Sequence, residues 1–313
     1  MNLGNKNELD GEDMKIKVDV ITLHAVQNYG SVLQALATQK LLEKHGCEVR
    51  IINYIRENVK YENLLETRSN GNFLKKIILY PNIKRWKKVF EGFCNEYLNL
   101  TEKSYTTDQD FEEYPLEADI FCTGSDQVWN SKWNLGIILP LYLSFVPADR
   151  FKFALAASFG QEKLSQEEIE ATQKYIDEYN FISVREKSGK KIIEEQYKYS
   201  HAEHVLDPTL TLTGDEWRSF ANNKKKTENY ILIYNLNRSK EFDDYARKLS
   251  KKTGLKLVRL CNRYDQFYRP GKSIIIPEII DFIKNLEFYI ANKISFRSSI
   301  FSFQGTSATC VAP

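Results

Sequence analysis

Residues 15–54 read KIKVDVITLHAVQNYGSVLQALATQKLLEKHGCEVRIINY. The run 15–23 is rich in β-branched residues and predicts a strand. Residues 31–45 carry apolar side chains at 32, 33, 36, 41 and 42, largely on one face of a helix. Ser31 and Gln34 stand at capping-box spacing, which predicts a helix start near Gly30. Gly46 ends that helix, and Glu48–Tyr54 is a second strand. A strand, a helix and a strand in this order predict a parallel pair joined by a right-handed crossover.

The bulk properties agree with an ordinary globular α/β chain. Of 313 residues, 42% are hydrophobic and 27% charged, enough for one large or two medium domains. Lys and Arg number 44 against 42 Asp and Glu, a formal charge of +2 that argues against a nucleic-acid surface as the main purpose. The five cysteines show no C-x-x-C spacing, and the four histidines are not clustered with other ligands, so no metal site is expected. Cys47 and Cys122 are expected as buried thiols. Residues 1–14 are polar and acidic, expected as a disordered tail and unlike a secretory leader. With no apolar run of spanning length, a cytoplasmic protein is expected.

Residues 56–117 hold no clear strand pattern and are expected as a helical insertion. Pro81 is expected to break the aromatic, lysine-rich stretch 73–98 into two helices. The basic run Lys84–Lys88 reads as a solvated helix face, and Trp86, Phe90 and Phe93 as packing residues. Strands are expected at 119–123, 151–159 and 181–184. A capping box at Ser165 and Glu168 opens a helix to about Tyr179, and another helix covers 188–196. Pro208 marks a boundary at Asp207. The charged stretch 222–229 reads as a linker between an N-terminal domain, 15–221, and a C-terminal one, 230–313. The latter should contain strands at 230–235, 255–261 and 288–291, with helices at 240–253 and 277–285.

The chemistry-bearing residues lie at strand ends. In residues 118–130, ADIFCTGSDQVWN, an apolar strand runs into Gly124, Ser125, Asp126 and Gln127. Open α/β sheets bind ligands at such ends. A hydroxyl, a carboxylate and an amide at successive positions can orient and deprotonate a hydroxylated substrate. The same residues also suit an ordinary Asx-type turn. Arg185, after strand 181–184, can grip a carboxylate or phosphate, or pair with Glu186. The loop Asn28-Tyr29-Gly30 can contact a substrate at the helix start, or serve close strand–helix packing. His24, His201 and His204 read as structural or surface residues.

These blocks together resemble the polysaccharide pyruvyl transferase family. The likeness rests on Asn28-Tyr29-Gly30 with its helix, Gly124–Asn130, Ala157–Gly160, Ile182–Glu186 and Leu206–Leu210, and spans about residues 16–292. It implies two Rossmann-like domains facing a cleft, similar to GT-B glycosyltransferases. It also implies transfer of a pyruvyl unit from phosphoenolpyruvate to a sugar of a cell-surface polysaccharide precursor, forming a ketal. Phosphoenolpyruvate would be a substrate, with no cofactor needed. The acceptor could be a lipid-linked oligosaccharide, which would bring the protein to the inner face of the membrane. On this resemblance Asp126 and Arg185 are the expected catalytic pair. Arg185 also matches a donor-binding position, and Asn28, Tyr29, Gly30, Ser125 and Gln127 are expected substrate contacts.

The chain departs from the family near its end. The family pattern has a strand followed by Ser-Phe-His-Gly; here Ser295-Phe296-Arg297-Ser298 is a partial echo, with Arg297 as an expected anion contact. An arginine is a poor general acid, because its pKa stays above about 12. The expectation is therefore a second domain incomplete at its C-terminus, from truncation or a frameshift, with activity in question. Two alternatives remain open: a GT-B glycosyltransferase using a nucleotide sugar, and a degenerate protein that only binds sugar.

Overall fold

In a computed structural model, residues 15–221, 229–235, 239–261 and 271–283 are described. They divide into two compact units. The first comprises 15–25, 30–56 and 97–211; the second comprises 26–29, 57–96 and the described residues from 212 onward.

The first unit is built on seven strands: β1 (Lys17–Ile21), β2 (Glu48–Tyr54), β3 (Leu100–Tyr105), β4 (Ile120–Thr123), β5 (Phe151–Ala157), β6 (Phe181–Val184) and β7 (Glu203–His204). All pairs are parallel, in the order β3-β2-β1-β4-β5-β6-β7. The progression reverses between β1 and β4, as in doubly wound α/β sheets. Val18, Val20 and Ile21 of β1 and Phe121 and Cys122 of β4 are buried, as parallel strands covered on both faces require. The second unit carries β8 (Tyr230–Tyr234), β9 (Lys256–Cys261) and β10 (Lys272–Ile275), a parallel sheet of order β10-β9-β8 among the described residues.

The helices, in chain order, are α1 (Tyr29–Lys44), α2 (Tyr61–Ser69), α3 (Phe73–Trp86), α4 (Gly92–Tyr97), α5 (Asp108–Glu113), α6 (Ser131–Asn134), α7 (Gln166–Ile176), α8 (Lys187–Lys191), α9 (Gly214–Phe220) and α10 (Lys240–Thr253). In α7, Ser165 accepts from Glu168 N and the Glu168 side chain returns to the cap, so the expected capping box forms. No helix among the described residues is long and apolar enough to cross a membrane.

Several expectations need correction. The segment 56–117 is not purely helical, because it supplies β3, a sheet-edge strand. Glu102, Lys103 and Ser104 are exposed there, so the strand has no apolar alternation to read. Pro81 does not break the helix: α3 runs through it and continues as a π-helical turn, Lys87–Glu91, into α4. Pro81 and Ile77 both lie on the exposed side, where water can take the carbonyl that the missing N–H frees. Helix α1 begins at Tyr29 with Ser31 inside it, so Ser31 is not the cap. It is buried all round from Ser31 to Gln39, beyond the single face its periodicity suggested. Strand β10 was not foreseen. Residues 279–283 are helical within the expected helix 277–285. The tail 1–14, most of the linker 222–229, the strand expected at 288–291 and Arg297 lie outside the described residues.

Candidate active site

Strands β1 and β4 are neighbours at the point where the strand order reverses, and the crevice there is where such sheets bind ligands. Their C-terminal ends are locked together. Gly124 N donates to Ile21 O at 2.8 Å. A Cβ on Gly124 would meet Thr22 Cβ and Val20 Cγ1 at 3.1 Å, so glycine serves close approach here. Thr22 Oγ1 donates to Ser125 O at 2.7 Å and accepts from Gln34 Nε2 at 2.9 Å, tying both strand ends to α1.

The left-handed conformation falls on Asp126, with φ 83°. Gln127 N donates to Asp126 Oδ1 at 2.8 Å, a local bond of the kind that lets aspartate adopt this region. Ser31 Oγ, from the first turn of α1, donates to Asp126 Oδ2. The carboxylate is thus held at both oxygens while its side chain stays 19% exposed. The local bond runs to the next residue, whereas an Asx-type turn bonds two residues on, so the carboxylate is shared between its own loop and α1.

Arg185 follows β6, and its main-chain N donates to Ala157 O at 3.0 Å. Its Nη1 donates to Asp207 Oδ2 at 2.8 Å, Nη2 lies 3.7 Å from Asp126 Oδ1, and Nε lies 3.5 Å from Glu186 Oε1. Asp207 also accepts from Ser125 Oγ at 3.1 Å, Thr209 N at 2.9 Å and Thr209 Oγ1 at 2.7 Å. Glu186 Oε1 accepts from Ser158 Oγ at 2.5 Å, whereas its Oε2 is buried without a hydrogen bond. One guanidinium therefore gathers three carboxylates from the loops after β4, β6 and β7. Among the described residues, no three His, Cys, Asp or Glu side chains are grouped to hold a metal ion.

The electrostatics follow from that grouping. Burial works against the charge on Arg185, but Asp126, Asp207 and Glu186 outweigh it and raise its pKa. Burial likewise opposes the Asp207 carboxylate, yet the Thr209 N–H and the Arg185 guanidinium hold its pKa below the ordinary value. His24, 2% exposed, has its pKa lowered by burial, consistent with a core histidine.

The structure brings Asp126, Arg185 and Ser125 into one hydrogen-bonded cluster, while the side chains of Gln127 and Tyr29 are engaged by other partners. Gln127 gives its side-chain carbonyl to Asn130 Nδ2 at 2.8 Å, which braces the loop. Tyr29 is 1% exposed and stacks on Phe282 at 4.2 Å, and its hydroxyl donates to Pro277 O at 2.7 Å; these partners belong to the second unit. Its ring packs the core, the alternative that the loop reading left open. Asn28 and Gly30 flank it, Gly30 exposed at the start of α1. Three residues of the cluster were missed, Ser31, Ser158 and Asp207, whereas the pairing of Arg185 with Glu186 was foreseen. For Asp207 the signal was present, since Asp-Pro-Thr has the form of a cap, and it caps the turn Pro208–Leu210.

The sequence pattern of the polysaccharide pyruvyl transferases matches residues 28–294. The chain belongs to that family. Among curated proteins, none matches it. Within this family member the matched span contains Ser31, Asp126, Arg185 and Asp207, so every side chain of the cluster falls inside it.

Proposed function

We propose that this chain transfers a pyruvyl unit from phosphoenolpyruvate to two hydroxyls of a sugar in a cell-surface polysaccharide precursor, with Asp126 as the base. The observation that carries the reading is the Asp126 carboxylate, fixed by Ser31 at the end of β4 and 3.7 Å from Arg185. The methylene carbon of the donor takes a proton, and the first sugar oxygen bonds to the central carbon. Phosphate then leaves with its bonding electron pair, and the second sugar oxygen closes the ketal. Two hydroxyl protons are lost; one balances the new C–H bond and the other departs with phosphate. A positioned carboxylate that accepts such a proton is worth about 10²–10⁴ in rate.

Three carboxylates around one guanidinium leave a formal charge of −2 when all are ionised. That balance suits a neutral, hydroxyl-rich acceptor better than a polyanionic donor. The Asp126 and Asp207 side is therefore assigned to the sugar. Arg185 would meet the donor through Nη2, the end that only the 3.7 Å contact engages, since Nη1 is committed to Asp207. The finer fold reading, two Rossmann-like domains of GT-B type, belongs to the same proposal; the doubly wound order of the first sheet and the parallel second sheet support it. So does a cytoplasmic setting, where phosphoenolpyruvate is available, at the inner membrane face when the acceptor is lipid-linked.

Titration calorimetry of the purified chain tests the donor. Phosphoenolpyruvate should bind, and Arg185→Lys should weaken it, because a lysine cannot serve Asp207 and an anion together. Binding of a nucleotide diphosphate with no response to phosphoenolpyruvate would instead make this a glycosyltransferase.

A further inference from the structure

Helix α3 of the second unit buries Trp86, as expected, and leaves an apolar side exposed. Its buried side is Asn82, Ile83 and Trp86, with Trp86 under the Arg68 guanidinium of α2 at 4.7 Å. Its outer side is apolar: Phe73, Leu74, Ile77, Ile78 and Tyr80 are 72, 70, 56, 62 and 57% exposed. Spacings of three and four residues place these five on one continuous face, and Lys84 and Lys88 extend it by successive turns. From Thr67 to Phe90 the chain has seven Lys or Arg and no Asp or Glu. Lys76, Arg85 and Lys87 are near acids of neighbouring segments, whereas Lys75, Lys84 and Lys88 are exposed and pair with no acid among the described residues.

An exposed apolar face bounded by unpaired lysines is the pattern of a helix that lies in a lipid headgroup layer. At 14 residues α3 is roughly 20 Å long, too short for a bilayer core of about 30 Å, so it can lie on a membrane but not span one. Asn72 accepts from Lys75 N at 3.0 Å and caps the helix, so the face is preformed. A second copy of this chain would bring the same lysines against these, which disfavours self-pairing through the face. An anionic surface is complementary to them.

We propose that α3 and the turn after it dock this protein onto an anionic lipid surface, inserting Phe73, Leu74, Ile77, Ile78 and Tyr80 among the headgroups while Lys84 and Lys88 meet lipid phosphates. The docking is independent of the sugar acceptor and of the chemistry proposed above. Each lysine near such a surface is worth about fivefold in binding, so two give on the order of 30-fold preference for anionic over neutral lipid. The test is co-sedimentation of the full chain with vesicles of phosphatidylglycerol and phosphatidylcholine, against phosphatidylcholine alone. Binding should require the anionic lipid, fall on raising salt, and be lost in Ile77→Ser/Ile78→Ser and in Lys84→Ser/Lys88→Ser. All four substitutions are at exposed positions, so circular dichroism should be unchanged. Failure to bind anionic vesicles overturns the proposal, as does binding that neither variant weakens. Self-association abolished by the Ile77→Ser/Ile78→Ser variant, without vesicle binding, would assign the face to a second copy instead.

Discussion

Arg185 Nη1 donates to Asp207 Oδ2 at 2.8 Å, joining the end of β6 to the turn that follows β7. Because Asp207 also holds Ser125 Oγ and the Thr209 N–H, this one carboxylate connects three loops of the cluster. Asp207→Asn keeps the size and removes the charge. Stability near neutral pH should fall by about 1.5–3 kcal/mol, the range for a hydrogen bond to a charged group. The sign with pH follows from the depressed pKa of Asp207. Its contribution is fully present above the unfolded value of about 3.9 and is lost as pH falls through the folded value below it. Urea unfolding over a pH series should therefore show the two proteins converging in acid; a constant gap would contradict this.

Ser31 is a positioning residue, acting on the substrate only through Asp126. Ser31→Ala should lower turnover roughly tenfold, since one hydrogen bond of about 1.5 kcal/mol to a charged group no longer fixes the base. Ser31→Thr, which keeps the hydroxyl, should recover part of that loss. Equal melting shifts with unaltered turnover would show that Ser31 is only structural.

The glycines at the site make separate stability predictions. Gly124→Ala forces a methyl group to 3.1 Å from Thr22 Cβ and Val20 Cγ1 and should cost about 1–3 kcal/mol. Gly160→Ala should cost more. It combines φ +57° with a Cβ that would lie 2.5 Å from Asn130 Nδ2. Thermal unfolding ranks the two.

Tyr29 discriminates core from site. Tyr29→Phe removes the donor to Pro277 O and should destabilise by about 1 kcal/mol while leaving turnover per folded molecule unchanged. Tyr29→Ala, which also empties the stack on Phe282, should cost about 3–5 kcal/mol. A kinetic defect in Tyr29→Phe without a stability change would return Tyr29 to the substrate.

Much of the first sheet was legible because β1, β2, β5 and β6 are buried, β-branched or aromatic, and bounded by clear stops. The pieces that were not legible lack that pattern. In β3, LTEKSY exposes its middle three residues at a sheet edge, and in β10 only four residues, KSII, follow Gly271. The exposed apolar face of α3 was unreadable for a different reason: periodicity marks an apolar face but not whether anything covers it. Asp126 and Arg185 could be singled out as candidates because they stand at strand ends, where open α/β sheets bind ligands. Asp207 was passed over because Pro208 drew its reading toward the backbone, and only folding brings it beside residues far away in sequence. Tyr29 shows the converse, an aromatic in a motif whose ring is spent on packing.

The role of Asp126 as the base for pyruvyl transfer is read out by turnover. The chain is incubated with isotope-labelled phosphoenolpyruvate and lipid-linked or nitrophenyl sugars, following ketal carbon and free phosphate together. Ketal and phosphate should appear in equal amounts, and Asp126→Asn should reduce both by about 10²–10⁴ with its folded structure intact. Ketal formation at the wild-type rate by Asp126→Asn would contradict the account.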